Sequence, residues 1–218
     1  MKNMTNEKFY DEIKPKLESL DDLIRNATEI GQKVVGESLF KQDLFFCSVL
    51  DRFVKLTDGF KILIKNRNLT CSGAMLRLLL DNCMRLYGLS IAENINDAID
   101  IVINGEKFDK IKDLKGNQLK DCYLKEQLTK FDERFEKVYN STSGYIHFSD
   151  KGFFQSVRAR ENNIIEVQIS PELKEEFNSL LIEGLDAYIY FSTFFLRMFD
   201  SIIKNKESYD RQYNEDLK

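Results

Sequence analysis

Only two prolines, Pro15 and Pro171, interrupt the 218 residues of this chain, while apolar side chains recur along most of it at three- and four-residue steps. Proline removes a backbone donor and clashes with the preceding turn, so its scarcity leaves long helices uninterrupted. The apolar spacing then tells which face of each helix is buried.

From Thr5 to about Val35, Phe9, Ile13, Leu17, Leu20, Ala27, Ile30 and Val34 keep the helical period, with Pro15 expected to kink the helix or begin its second part. A second helix spans about Ser38 to Asn66 through Phe46, Val49, Leu50, Phe53 and Phe60. The third, about Thr70 to Glu93, is apolar nearly all round, which places it in the middle of a bundle. Asn96 is positioned to cap a short helix, Asp97 to Asn104, ending at Gly105. Gly105 to Lys120 has weak periodicity and is expected to be an exposed, mildly basic loop. Helical spacing resumes at Tyr123 and passes through Val138 toward His147, with a break or extension expected near Asn140.

Phe153 to Arg160 and Ile164 to Ile169 look extended, and Glu161-Asn162-Asn163 between them predicts a β-hairpin. A lone hairpin is marginal in water, so it must lie on the bundle or pair with another chain's hairpin. Ser170-Pro171-Glu172 carries the marks of a helix start, and the final helix is expected to reach about Lys204. The fold class that follows is mainly all-α. The expected architecture is a bundle of about five long helices in one domain, residues 1–204, with the hairpin near 153–169 in an insertion over 151–170. Residues 205–218 form a charged, frayed tail in this reading.

Charge narrows the function. A formal net charge of −4 gives no global attraction to nucleic acid. Cys47, Cys71, Cys83 and Cys122 are widely spaced, and with one histidine in the chain they do not make an ordinary zinc site, so they are expected to be reduced core residues. No metal or cofactor is called for. The beginning Met-Lys-Asn-Met lacks an apolar signal region, and no run supplies the roughly 18 apolar residues of a span, so the expectation is a cytoplasmic protein without a membrane partner.

Two constellations carry the chemistry. Arg77, Asp81 and Arg85 fall at i, i+4 and i+8, one stripe roughly 80° wide on an otherwise apolar helix. A buried ionic stripe costs several kcal/mol, on the order of the desolvation of its ions, unless it is paired or meets a ligand. It is therefore either a satisfied network or a pair of guanidinium forks for phosphate or carboxylate. Asn82 lies beside it and serves either as a member or as a cross-link between helices. The only histidine, His147, sits in Tyr139-Asn-Ser-Thr-Ser-Gly-Tyr-Ile-His147. If that segment is helical, Tyr139, Ser143 and His147 stack along one side, and the imidazole is a candidate general acid or base with Arg77 or Arg85 steadying phosphate. The bland alternative is that Ser141, Ser143 and Gly144 end a helix while His147 bonds a carbonyl.

The run Leu76-Arg-Leu-Leu-Leu-Asp-Asn-Cys-Met-Arg-Leu-Tyr87 and the later Ser143-Gly-Tyr-Ile-His-Phe-Ser149 resemble those of HEPN-like proteins, helical domains of bacterial toxin, abortive-infection and phage-defence systems. The likeness covers roughly residues 37 to 204. It implies a homodimer and a metal-independent ribonuclease site, with His147 as acid or base and Arg77 or Arg85 holding phosphate. Asp81, Asn82, Tyr139, Ser143 and Tyr145, from the two constellations, are the candidate binding residues. The chain departs from the family's signature, an arginine four to six residues before the histidine: Ser141, Thr142 and Ser143 stand there, and the nearest upstream arginine is Arg134. Many HEPN-like domains lack the signature and serve as non-catalytic binding or scaffold modules. The alternative expectation is therefore that the same polar seam binds a nucleotide, a nucleic acid or an operon-encoded protein partner and catalyses nothing.

Overall fold

The computed structural model describes residues 4–147, 149–159 and 165–216. The fold is mainly α-helical. α1 (Asn6–Val35) starts where the Thr5 hydroxyl accepts from the Lys8 N–H, and it continues through Pro15 as one helix. α2 (Lys41–Lys65) and α3 (Leu69–Ser90) follow, α3 capped by the Asn68 side chain. Arg67 bridges α2 to α3 with φ 53°. Its guanidinium holds the Leu173 carbonyl at 2.7 Å and the Asn178 side chain at 2.9 Å, which ties this sharp turn to the chain before the final helices.

α3 occupies the centre, against α2, α6 (Arg134–Ile146), α8 (Asn178–Arg197) and α5 (Asp121–Phe131). Its Leu76, Leu79, Leu80, Cys83, Met84, Leu86 and Leu89 are all buried, as a helix apolar on every side requires. Aromatic pairs lock α2 to α8: Phe60 stacks on Tyr188 at 3.8 Å and Phe53 on Phe195 at 4.9 Å. Each fully buried phenylalanine contributes roughly 1.5–3 kcal/mol through the water its surface leaves.

Several boundaries differ from the sequence expectation. α4 (Ile95–Ile103) is capped by Asn94 rather than Asn96, the Asn94 carboxamide oxygen accepting from the Asn96 and Asp97 N–H groups. The loop over 105–120 is not simply exposed. Leu119 and Ile111 enter the core, and the Asp113 carboxylate gathers the Lys115 and Asn117 N–H groups and the Tyr123 hydroxyl at 2.5 Å. The break expected near Asn140 falls at Asp132, whose carboxylate accepts from the Arg134 N–H and starts α6; Asn140 lies within that helix, as do Ser141, Ser143 and Gly144.

Phe153 to Ser156 is helical, not extended, as part of α7 (Asp150–Ser156), with the Phe153 N–H closing a turn onto the Ser149 carbonyl. Val157–Ala159 (β1) and Ile165–Val167 (β2) pair antiparallel with Val157 opposite Val167. Arg160 and the predicted turn Glu161-Asn162-Asn163 lie outside the described residues. Ser170-Pro171 starts no α-helix: the Ser170 hydroxyl takes the Glu172 N–H, but α8 begins at Asn178. There the buried Asn178 side chain bonds the Met4 carbonyl and Asn6, so a tertiary anchor outweighs the local start signal.

α9 (Phe199–Asp216) continues through the stretch expected to fray. Lys206 is buried on Asp43 at 2.7 Å and also donates to the Ser38 carbonyl. At Gly36, φ 53°, a Cβ would run into the Asp210 carboxylate and the Lys206 side chain, so glycine suits the place where α9 closes on the end of α1. The stretch Glu175–Ser208 is long and apolar enough to cross a membrane by composition. In the fold its Leu181, Leu185, Tyr188, Phe191 and Phe195 are core residues against α1 and α3.

Candidate functional site

The α3 stripe forms, but its two arginines turn to different partners. Arg77 faces α6: its Nη1 donates to the Ser143 hydroxyl at 3.3 Å, and its guanidinium carbon stands 3.2 Å from the centre of the Tyr139 ring. Its Nε is buried with no hydrogen-bond partner. Tyr139 also has the Lys125 ammonium 5.8 Å from its ring centre, and that ammonium is bonded to Glu136 at 2.7 Å, which raises its pKa.

Arg85 stands two turns further on, about 12 Å along the helix axis at 1.5 Å per residue. It donates to Asp121 at 2.6 Å and to Asp81 at 3.4 Å, and its guanidinium lies 4.9 Å from the Phe108 ring centre. Asp121 opens α5, where the helix dipole favours a carboxylate. The stripe is thus a paired Arg-Asp network at one end and a stacked, hydroxyl-bonded guanidinium at the other.

Asn82 belongs to neither end. It is buried, its Nδ2 donating to the Val49 carbonyl at 3.1 Å and its Oδ1 accepting from Arg52 at 3.1 Å, which makes it a cross-link between α2 and α3. Tyr139 and Ser143 do share one side of α6 and meet Arg77 together. His147 follows as the cap of that helix, φ −108° and ψ 139°, its N–H closing the last helical bond onto the Ser143 carbonyl at 3.1 Å. The residue is exposed, and no imidazole hydrogen bond occurs among the described residues. A general base is normally oriented by a second group on its other ring nitrogen, and the described residues supply none.

Tyr145 packs against α3 one helical turn before Arg77. Its ring lies on Gly73 of α3, where a Cβ would run into it. Burial, with Glu183 nearby, pushes the Tyr145 phenol up. It forms one wall of a cleft of about 290 Å³ between α3, α6 and α8, otherwise lined mainly by Phe60, Leu69, Leu76 and Leu181.

A larger cleft, about 710 Å³, was not visible in the sequence. It opens between the start of α2, α4 and α9, with Phe40, Phe46, Ile95 and Ile202 as walls and the Lys206–Asp43 pair at its edge. Lys206 sits in a polar, charged stretch with nothing local to mark it as buried. Among the cysteines, Cys83 is buried and its thiol pKa is raised by that burial, whereas Cys71 and Cys122 are exposed, against the expectation that all four are core residues. No cluster of metal-ligating side chains occurs among the described residues. Comparison with protein-family models, with curated proteins and with solved structures gave no match.

Proposed function

We propose that this chain is a non-catalytic binding module of HEPN-like type, acting in a bacterial defence or toxin setting, in which the Arg77–Asp81–Arg85 stripe is a strut between helices. The observation that carries the reading is the engagement of both guanidinium groups within the molecule. A phosphate would have to displace Ser143 and the Tyr139 face from Arg77, or Asp121 and Asp81 from Arg85. Nearby Lys125 is likewise matched by Glu136, and the chain as a whole carries −4. Those balances favour a protein partner over a polyanion, whose binding draws on unmatched Lys and Arg.

The ribonuclease reading has one observation in its favour. Ser143 joins its two groups, accepting from Arg77 through its hydroxyl and from the His147 N–H through its carbonyl, and the imidazole is open to solvent. In that reading Arg77 holds phosphate, His147 moves the proton, and Arg85 lies too far along α3 to take part. The two readings separate when chelator-treated protein is incubated with labelled RNA. The module reading predicts no turnover and a profile identical for His147→Ala. Metal-independent cleavage that disappears in His147→Ala at unchanged melting temperature would replace it with the enzyme.

A further inference from the structure

We infer that the cleft between the start of α2, α4 and α9 is a small-molecule site for an uncharged, mainly apolar ligand whose polar end donates a hydrogen bond to Asp43. Its volume, about 710 Å³, falls within the roughly 300–1,000 Å³ of sites that enclose such ligands. Phe40, Phe46, Ile95 and Ile202 supply apolar walls from all three elements. Walls of that kind hold the body of a ligand; the polar end is selected by the buried Lys206–Asp43 pair, which also lines the cleft.

The two members of that pair are not equally engaged. Lys206, 6% exposed, donates to the Ser38 carbonyl and to Asp43, and its ammonium stands over the Phe40 ring, 4.4 Å from the centre. It is thus already held by a carbonyl, a carboxylate and a ring face. Asp43, 2% exposed, accepts the Phe40 N–H at 2.8 Å and the Lys206 ammonium at 2.7 Å, and both bonds fall on Oδ2. Among the described residues no hydrogen bond falls on Oδ1. An ionised carboxylate accepts on both oxygens, and one left without a donor in a buried place is costly. Oδ1 is therefore the acceptor that a ligand in the cleft would meet.

Charge fixes the kind of donor. An ammonium on Oδ1 would stand close to the Lys206 ammonium, and a carboxylate would be set against Asp43. Either would bring an unmatched charge to a pair that is already neutral. Lys41, which also lines the cleft, is closed on Asp100. A carboxamide N–H or a hydroxyl donates without that cost. This inference does not depend on whether the α3 stripe is a strut or an active site.

The test uses probes that share one apolar body: hydrocinnamamide, its N,N-dimethyl amide, hydrocinnamate and phenylpropylamine. Each is titrated at neutral pH into the full chain carrying isotope-labelled isoleucine methyl groups and followed by nuclear magnetic resonance. Hydrocinnamamide is expected to bind with a Kd on the order of 1 mM and to shift the Ile95 and Ile202 methyl signals. The dimethyl amide, which has no N–H, and the two ions are expected to bind at least about tenfold more weakly. Ile202→Trp, which puts an indole into the cleft, is expected to remove the Ile95 shift with an unchanged circular dichroism spectrum. No binding of hydrocinnamamide at millimolar concentration would overturn the proposal, as would equal or tighter binding of the dimethyl amide or of either ion. Shifts confined to isoleucines outside the cleft, or binding that survives Ile202→Trp, would overturn it too. Should that variant not fold, the order of the probes on wild type and the place of their shifts decide.

Discussion

At the scale of single residues, several buried or half-buried polar groups fix helices to one another. Asn82, placed beside the ionic stripe by sequence, cross-links α2 to α3, and Arg67 ties a left-handed turn to the chain before α8. Gly73 shows how tight the α3–α6 contact is. Alanine in a helix normally gains up to ~1 kcal/mol over glycine, but here the new Cβ would meet the root of the Tyr145 ring, which has little freedom to withdraw. Overpacking of that kind costs about 1–3 kcal/mol, so Gly73→Ala should lower stability by about 1 kcal/mol in urea unfolding. In a Tyr145→Ala background the same change should turn neutral or stabilising. Asp113 makes a pH prediction. Bonding from the Tyr123 hydroxyl, and then from Asn117, holds its carboxyl down to about 2 against the opposing effect of burial. A carboxylate lowered in the folded state stabilises the fold above its unfolded pKa near 4 and loses that contribution as pH falls toward 2. Stability measured across that window should fall less steeply for Asp113→Asn than for wild type.

At the scale of elements, what was legible was what periodicity controls. α1, α2 and α3 stand close to where their apolar steps put them, because each is long and buries a repeating face. Boundaries set by tertiary anchors were not legible. Ser170-Pro171 reads as a helix start, yet Asn178 fixes α8 through bonds to residues more than a hundred positions away. Phe153 and Phe154 read as strand formers by composition, while the backbone there closes helical turns. α9 is the clearest case. Residues after Lys204 are charged and look frayed, but Lys206 is buried against Asp43, its ammonium 4.4 Å from the Phe40 ring centre. Asp43 also accepts the Phe40 N–H at the start of α2, so one carboxylate secures two elements. Removing one member of a buried pair leaves the other charge uncompensated, at about 3–5 kcal/mol. Asp43→Ala should lose that much in chemical denaturation, and Asp43→Leu with Lys206→Met markedly less. A loss under about 1 kcal/mol for Asp43→Ala would mean that the pair does not hold α9 in place.

At the scale of the whole molecule, α3 is the axis on which the account turns. Its sequence announced both its burial and the stripe across it, since only an enclosed helix is apolar on so many sides. Where each arginine goes could not be read from that helix, because the direction depends on α5 and α6. Tyr139 and Ser143 at i and i+4 were a usable signal, and they do meet Arg77. The third member of that series, His147, caps the helix, and among the described residues its imidazole makes no hydrogen bond. The central claim is that Arg77 serves as a strut between α3 and α6. A double-mutant cycle in urea with Arg77→Ala, Tyr139→Leu and the pair tests it most directly. Given a ring face at contact distance, the account predicts a coupling of about 0.5–2 kcal/mol between the two positions. Strictly additive losses, or single variants both as stable as wild type, would contradict it.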